Sequence, residues 1–182
     1  MAFDANRADL TIGVLGTGAM GRGIVQVAAA GGINVLMMDT RAGAAAEARE
    51  FIGKMLSRAA EKGSMTAAEA DAALARVKIV NALAEFKPCH AVIEAVVENL
   101  DVKRQVFGEL ENIVAPDCIL ASNTSSLSVT TIAARMKTPQ RFAGFHFFNP
   151  VPLMRLVEVI AGLQTEEWVC EGLTAKIGRA HV

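Results

Sequence analysis

The chain has 182 residues, which is the size of a single domain. Apolar residues make up 52% and charged residues 20%, so the composition supports a buried core and excludes a disordered chain. The formal net charge is −1, and this balance gives no electrostatic reason to expect nucleic acid or a membrane as partner.

Short apolar runs alternate with helical stretches along the chain, which predicts βαβ units and a largely parallel sheet. The predicted strands are 11–15, 33–38, 77–80, 90–96, 118–121, 141–148 and 153–160. The predicted helices are 19–30, 44–61, 66–76, 100–113 and 129–136, and a further helical segment turns into Gly178. Thr66 and Glu69 form a capping box that opens the third helix. The fold predicted is a doubly wound α/β fold of the Rossmann type, with a helical hairpin inserted after the second strand.

The cysteines and the N-terminus indicate an intracellular protein. Cys89, Cys118 and Cys170 are widely spaced and form no Cys-x-x-Cys pair, so we expect buried thiols rather than disulfides or a zinc site. Residues 1–10 lack the apolar stretch of a signal peptide, and no apolar window is long enough to span a bilayer. We therefore expect a soluble cytoplasmic protein without a metal site.

The turn after the first predicted strand has the sequence Gly-Thr-Gly-Ala-Met-Gly. A G-x-G-x-x-G turn between a strand and a helix is typical of dinucleotide-binding folds, whose helix N-terminus holds the phosphates. Gly16 permits the tight turn, Gly18 lets the backbone approach a pyrophosphate, and Gly21 lets the helix pack on the sheet. Asp39 ends the second strand, where it can accept the ribose hydroxyls and repel a 2′-phosphate. This predicts NAD rather than NADP, although the nearby Arg41 weakens the preference.

Two candidate catalytic residues lie on neighbouring strand-like segments. His146 lies between phenylalanines, and Glu158 follows twelve residues later, after a turn with two prolines. A carboxylate beside an imidazole fixes its tautomer and raises its proton affinity, so the pair predicts a general base for a hydroxyl proton. A histidine between aromatic residues is more often a core residue, so the residues alone leave His146 as a candidate only.

Polar side chains follow two other predicted strands. The segment 122–126, Ser-Asn-Thr-Ser-Ser, comes at a carboxyl edge where α/β folds bind ligands, but it also suits a helix N-cap. Glu94 and Glu98 flank the end of another strand, and Lys103 opens the next helix. These charges either serve a cofactor or form an ordinary helix-terminal arrangement.

Six segments occur in a particular order and spacing: 16–21, 94–98, 101–103, 122–126, 146–150 and 156–158. Together they resemble the NAD-binding domain of the 3-hydroxyacyl-CoA dehydrogenase family. The resemblance implies that His146 is the catalytic base, that Glu158 orients it, and that Ser125 and Asn149 hold the substrate hydroxyl and position the cofactor.

The resemblance also implies NAD as cofactor and an acyl-CoA as substrate. The residues that it assigns to NAD are Gly16, Gly18, Ala19, Met20, Gly21, Asp39, Glu98, Lys103, Ser125 and Asn149. Lys62 is assigned to the nucleotide part of coenzyme A. The implied reaction is oxidation of an (S)-3-hydroxyacyl-CoA to the 3-oxoacyl-CoA, or its reverse.

Members of this family carry a helical C-terminal domain that completes the acyl-CoA pocket and forms a homodimer. The sequence ends at Val182, so we expect residues 1–182 to form the NAD-binding domain without that helical domain. Two alternatives are a dehydrogenase of a free hydroxy acid and a non-catalytic NAD-binding protein of the same fold.

Overall fold

Seven strands alternate with six α-helices over residues 3–180, the part of the chain described by the computed structural model, with side chains described to residue 175. The strands are β1 (Thr11–Leu15), β2 (Asn34–Met38), β3 (Val77–Ile79), β4 (Ala91–Glu94), β5 (Ile119–Ser122), β6 (Phe142–Phe147) and β7 (Val157–Ala161). The helices are α1 (Ala19–Ala30), α2 (Ala44–Glu61), α3 (Ala67–Ala75), α4 (Leu100–Leu110), α5 (Val129–Ala133) and α6 (Glu167–Ala180). Short 3₁₀ helices at Leu83–Phe86 and Pro139–Arg141 were not predicted from the sequence.

The strands form one sheet in the order β3-β2-β1-β4-β5-β6-β7. Strands β1 to β6 are parallel, and β7 pairs antiparallel with β6 at one edge. The strand order changes direction at β1, which lies between β2 and β4. In a sheet of this kind ligands bind outside the carboxyl ends of the strands at that switch point. The predicted Rossmann-type fold is confirmed.

Apolar side chains cover both faces of the sheet. On one face Val14 packs in a core that includes Ile24 of α1 and Ile52 of α2. On the other face Leu15 packs with Phe107 of α4 and with α5. Successive residues of a strand point to opposite faces, which is why the inner strands are apolar nearly throughout.

The helical hairpin between β2 and β3 begins its second helix as predicted. The Thr66 hydroxyl accepts a hydrogen bond from the Glu69 backbone N–H at 3.2 Å, and the Glu69 carboxylate accepts one from the Thr66 N–H at 2.7 Å. The capping box is therefore confirmed. Arg49 of α2 donates to the carbonyl of Val77, which ties the hairpin to β3.

The last strand begins later than the sequence predicts. Strand β7 begins at Val157 rather than at residue 153, because β6 ends at Phe147 and its register partner is Val157. Residues 153–156 therefore have no β6 residue to pair with, and Leu153 and Leu156 are exposed. Helices α4 and α5 each end three residues before their predicted ranges 100–113 and 129–136 do.

Candidate active site

The phosphate-binding turn connects β1 to α1. Gly16 has a φ of 91°, a left-handed conformation that favours glycine. A Cβ at Gly16 would lie 2.5 Å from the carbonyl oxygen of Ala95, so the turn also approaches the loop after β4 too closely for a side chain. Gly16 therefore has the role predicted for it, the tight turn.

Gly18 and Gly21 differ in what surrounds them. A Cβ at Gly18 would meet no protein atom within 4 Å, so this glycine borders open space at the N-terminus of α1. A Cβ at Gly21 would lie 1.8 Å from the Gly16 carbonyl oxygen. Gly16 directly follows β1, and the same Cβ would lie 3.7 Å from the Ala95 side chain after β4. Gly21 thus lets α1 approach the strand ends closely, which agrees with its predicted role.

The N-terminus of α1 is suited to an anion. Among the described residues, no side chain caps this helix and no acidic side chain lies in its first turn. The backbone N–H groups of the first turn, at Ala19 and Met20, therefore face the space beside Gly18 with a positive dipole end. The turn, the open space and the free donors together fit the pyrophosphate of a dinucleotide.

Asp39 lies beside this turn, at the end of β2. Its Oδ2 accepts hydrogen bonds from the Thr17 N–H at 2.7 Å and the Thr17 hydroxyl at 2.8 Å, and its Oδ1 accepts from the Arg41 N–H at 2.9 Å. Partial burial acts to raise the pKa of Asp39, but these hydrogen bonds outweigh it and hold the pKa below its usual value. Oδ1 accepts a single hydrogen bond and so has a further acceptor site for a ribose hydroxyl.

Glu98, after β4, organises the loop after β5. Its Oε1 accepts hydrogen bonds from the Thr124 hydroxyl, the Ser125 N–H at 3.1 Å, and the Ser126 N–H and hydroxyl at 3.3 and 3.2 Å. Partial burial acts to raise the pKa of Glu98, but the Thr124 hydroxyl and the nearby Lys103 ammonium lower it to about 2. Glu98 is therefore ionised at neutral pH.

Glu98 also contacts a buried ion pair between Lys103 and Glu94. The Lys103 ammonium lies 2.6 Å from Glu94 Oε1 and 3.2 Å from Glu98 Oε2. Lys103 is 1% exposed and Glu94 fully buried, and the Ser122 hydroxyl donates to the second Glu94 oxygen at 2.7 Å. These contacts agree with both interpretations of the charges. The cluster joins helix α4 to the ends of β4 and β5, as a helix-terminal arrangement would, and Glu98 also lines the cavity, as a cofactor site would.

The candidate general base is formed by two strands at the edge of the sheet. His146 of β6 and Glu158 of β7 are register partners in the antiparallel pair, and His146 Nδ1 lies 2.9 Å from Glu158 Oε2. The His146 side chain is 16% exposed and the Glu158 side chain 49%. His146 thus borders solvent with a carboxylate beside it, which disfavours the alternative of a core histidine.

A cavity of about 330 Å³ opens at the carboxyl ends of β4, β5 and β6. Five residues with predicted roles line it: Met20, Glu98, Ser125, His146 and Asn149. Asn123 also lines it and accepts a hydrogen bond from the Phe147 N–H at 2.8 Å, which joins the β5 loop to β6. Asn123 is the amide of the polar segment 122–126, for which ligand binding and a helix N-cap were both left open.

Lys62 lines a second cavity, of about 520 Å³, between α1, the end of α2 and the loop after β6. Arg22 and Arg58 line it as well, with the Arg22 guanidinium 4.0 Å from the Phe51 ring centre, and Asn149 lines both cavities. The sequence did not single out these arginines, because helix periodicity alone does not show which side chains of α1 and α2 meet.

The cysteines are free thiols, and two of the three are buried as predicted. Cys89 and Cys118 are buried free thiols, whereas the free thiol of Cys170 is only partly buried. Within the part of the chain whose side chains are described, no group of three His, Cys, Asp or Glu side chains is arranged to hold a metal ion. None of the described helices combines the length and apolar content needed to cross a membrane.

A dinucleotide-type turn, an acidic residue after β2 and a cavity at the carboxyl ends of the parallel strands define a nucleotide-binding protein of the Rossmann class. The sequence model of the family described as "3-hydroxyacyl-CoA dehydrogenase, NAD binding domain" matches residues 11–181. The chain therefore belongs to the 3-hydroxyacyl-CoA dehydrogenase family, as its NAD-binding domain.

Named relatives agree with this membership. The chain is 47% identical over 172 residues to a probable 3-hydroxybutyryl-CoA dehydrogenase of Bacillus subtilis, covering 93% of this chain and 60% of the relative. It is 42% identical to a 3-hydroxyadipyl-CoA dehydrogenase of Escherichia coli, covering 90% of this chain and 34% of the relative. The crystal structure of 3-hydroxybutyryl-CoA dehydrogenase from Escherichia coli superposes with a TM-score of 0.92 at 40% identity, covering 94% of this chain and 36% of that one. The chain thus spans about a third to three fifths of their length.

Proposed function

We propose that this chain is the cofactor-binding and proton-transferring part of an NAD-dependent (S)-3-hydroxyacyl-CoA dehydrogenase. The observation that carries the proposal is the 2.9 Å contact between His146 and Glu158, beside a cavity that Ser125 and Asn149 also line. The names of the relatives support a CoA thioester as substrate. NAD supplies the hydride acceptor when it is bound.

The cofactor residues have distinct proposed roles along the carboxyl edge of the sheet. Gly16, Gly18 and Gly21 shape the turn, and the N–H groups of Ala19 and Met20 bind the pyrophosphate. Asp39 accepts the hydroxyls of the adenosine ribose. Glu98 lines the cavity and faces the nicotinamide half of the cofactor. Lys103 is 1% exposed, so its proposed role is to hold Glu98 in place through their ion pair.

His146 accepts the hydroxyl proton of the substrate. Because Nδ1 faces Glu158, the tautomer with its proton on Nδ1 leaves Nε2 as the acceptor. The imidazolium that forms is stabilised by the Glu158 carboxylate. Ser125 and Asn149 hold the hydroxyl oxygen and orient the cofactor. General-base catalysis of this kind contributes roughly 10²- to 10⁴-fold to the rate.

The second cavity suits the nucleotide end of coenzyme A. Lys62, Arg22 and Arg58 line it and supply positive charge for phosphates. Asn149 lines both cavities, so an acyl-CoA with its phosphates beside Lys62 passes Asn149 on the way to His146.

The test combines binding with turnover. This chain, followed by the helical C-terminal domain that the family carries, is mixed with NADH and acetoacetyl-CoA, and the loss of NADH absorbance is followed for the wild type and for His146→Gln. The chain alone is expected to have low activity. We expect oxidation of NADH by acetoacetyl-CoA, slowed roughly 10²- to 10⁴-fold in the variant. The dissociation constant for NADH, measured by its fluorescence, should change less than about twofold, because His146 does not line the phosphate turn.

Other outcomes would favour the two alternatives. Faster turnover with free acetoacetate than with its CoA thioester would indicate a dehydrogenase of free hydroxy acids. NADH binding without turnover of either substrate, in a protein in which the helical C-terminal domain follows this chain, would indicate a non-catalytic protein. Unchanged turnover in His146→Gln would contradict the assignment of the base.

The free cysteines support a reducing compartment, and we propose that the protein acts in the cytoplasm. The homodimer and the separate helical domain that the resemblance implies stay predictions.

A further inference from the structure

Arg41 is the cation nearest in sequence to the Asp39 carboxylate, but its side chain is bound elsewhere. Its Nη2 lies 2.6 Å from Glu47 Oε2 and its Nη1 lies 3.2 Å from Glu47 Oε1. Glu47 lies in the first turn of α2, so this bidentate pair ties the loop after β2 to the helix that follows. The positive charge of Arg41 is therefore already matched by a carboxylate.

This pairing bears on the choice between NAD and NADP. A 2′-phosphate would bring added negative charge close to Asp39, whose carboxylate the hydrogen bonds from Thr17 and Arg41 keep ionised. Folds of this type accommodate that phosphate with a nearby arginine. Arg41 is such an arginine by position, since it follows Asp39 by two residues, but a 2′-phosphate would have to compete with Glu47 for its guanidinium.

We propose that Glu47 is a specificity-determining residue, which excludes NADP by holding Arg41 away from the ribose of the cofactor. The inference rests on the proposed position of the adenosine ribose at Asp39. Both side chains are about two-thirds exposed, at 63% and 66%, so the pair contributes little to stability and its loss should not unfold the chain. Losing the pair would instead make the positive charge of Arg41 available to a bound cofactor.

A matched pair of variants tests the role of Glu47. Glu47→Gln frees Arg41, and Glu50→Gln removes an exposed carboxylate from the same helix, where it pairs with Lys54 at 2.6 Å. Dissociation constants for NADH and NADPH are measured by cofactor fluorescence. We expect Glu47→Gln to tighten NADPH binding about three- to fivefold, with NADH changed less than about twofold, because freeing the guanidinium for a phosphate gains no more than the exposed pair was worth. Glu50→Gln should change neither constant.

A double variant links the effect to Arg41. In Arg41→Ala combined with Glu47→Gln, the gain in NADPH affinity should disappear, because the freed guanidinium is no longer there. The inference is overturned if Glu47→Gln tightens NADPH no more than Glu50→Gln does, or tightens NADH and NADPH equally. It is also overturned if the gain persists without Arg41. Failure of the wild type to bind NADH would instead overturn the proposed function, and the inference with it.

Discussion

Gly18 and Gly21 lie three residues apart in the phosphate turn, yet a side chain would affect them differently. Gly18 has a φ of −62°, which any residue adopts, and a Cβ there would meet no protein atom. A side chain at Gly18 would therefore obstruct a bound ligand and not the fold. A Cβ at Gly21 would lie 1.8 Å from a backbone carbonyl, so its cost would fall on the fold.

We therefore predict opposite outcomes for two alanine variants. Gly18→Ala should keep a free energy of unfolding within about 1 kcal/mol of the wild type but weaken NADH binding at least about tenfold. Gly21→Ala should lose about 3 kcal/mol or more, because a backbone clash of this size forces the turn apart. Urea denaturation measures the free energy of unfolding, and NADH fluorescence measures the binding.

Gly108→Ala, at another glycine with no atom near its Cβ, is the control and should bind NADH normally. Wild-type NADH affinity in Gly18→Ala would contradict the pyrophosphate position.

At the scale of elements, the site depends on hydrogen bonds between the loops that follow β4 and β5. Glu98 follows β4 and accepts four hydrogen bonds from the loop after β5, while its other oxygen faces Lys103 of α4. One carboxylate thus joins three elements around the cavity. Its pKa of about 2 means that the folded state favours the ionised form.

The stability contributed by Glu98 should depend on pH. Because the folded-state pKa is lowered from 4.5 to about 2, the contribution is complete above about pH 4.5 and is lost as the pH falls toward 2. Glu98→Gln should therefore lower the free energy of unfolding by about 1–2 kcal/mol at neutral pH, less than the full shift implies, because the Glu98 side chain is 37% exposed and solvent screens its charge.

Urea denaturation across pH measures this difference. It should be constant from about pH 7 to about pH 5.5 and shrink below about pH 4.5. Glu109→Gln, at an exposed position of α4, should change stability by less than about 0.5 kcal/mol. A difference between Glu98→Gln and wild type that does not vary with pH would show that the charge of Glu98 is not what stabilises the loop.

At the scale of the whole molecule, one sheet separates two apolar cores. Phe107 is fully buried in the core beneath α4 and packs edge-to-face on Phe142, with ring centres 4.6 Å apart. Trp168 lies on α6 and packs on the core of the opposite face. Because both cores share every inner strand, we expect the two faces to unfold together.

The variant Phe107→Ala tests this cooperativity. It should cost about 3–5 kcal/mol, as expected for removing a buried aromatic side chain. The urea midpoint should fall equally by circular dichroism and by the fluorescence of Trp168, the only tryptophan in the sequence, although Trp168 packs on the opposite face. A fluorescence midpoint that stays at the wild-type value would show that the two faces unfold separately.

The sequence by itself determined the features that depend on local chemistry. The glycine turn, the apolar inner strands, the capping box of Thr66 and Glu69, and the helical hairpin all follow from steric limits and periodicity within a few residues. The antiparallel pair of His146 and Glu158 was also within reach, because a short turn joins two neighbouring strands. The order of the motifs led to the family that the comparisons confirm.

Only the tertiary structure decided features that depend on contacts between distant elements. Strand β7 begins at Val157 because β6 ends opposite it. Lys103 is buried because strands and a helix bring Glu94 and Glu98 around it, and the side chain of Arg41 is occupied because α2 brings Glu47 back to the loop. Periodicity shows which face of an element is apolar, whereas the partner of each charge depends on how the elements pack.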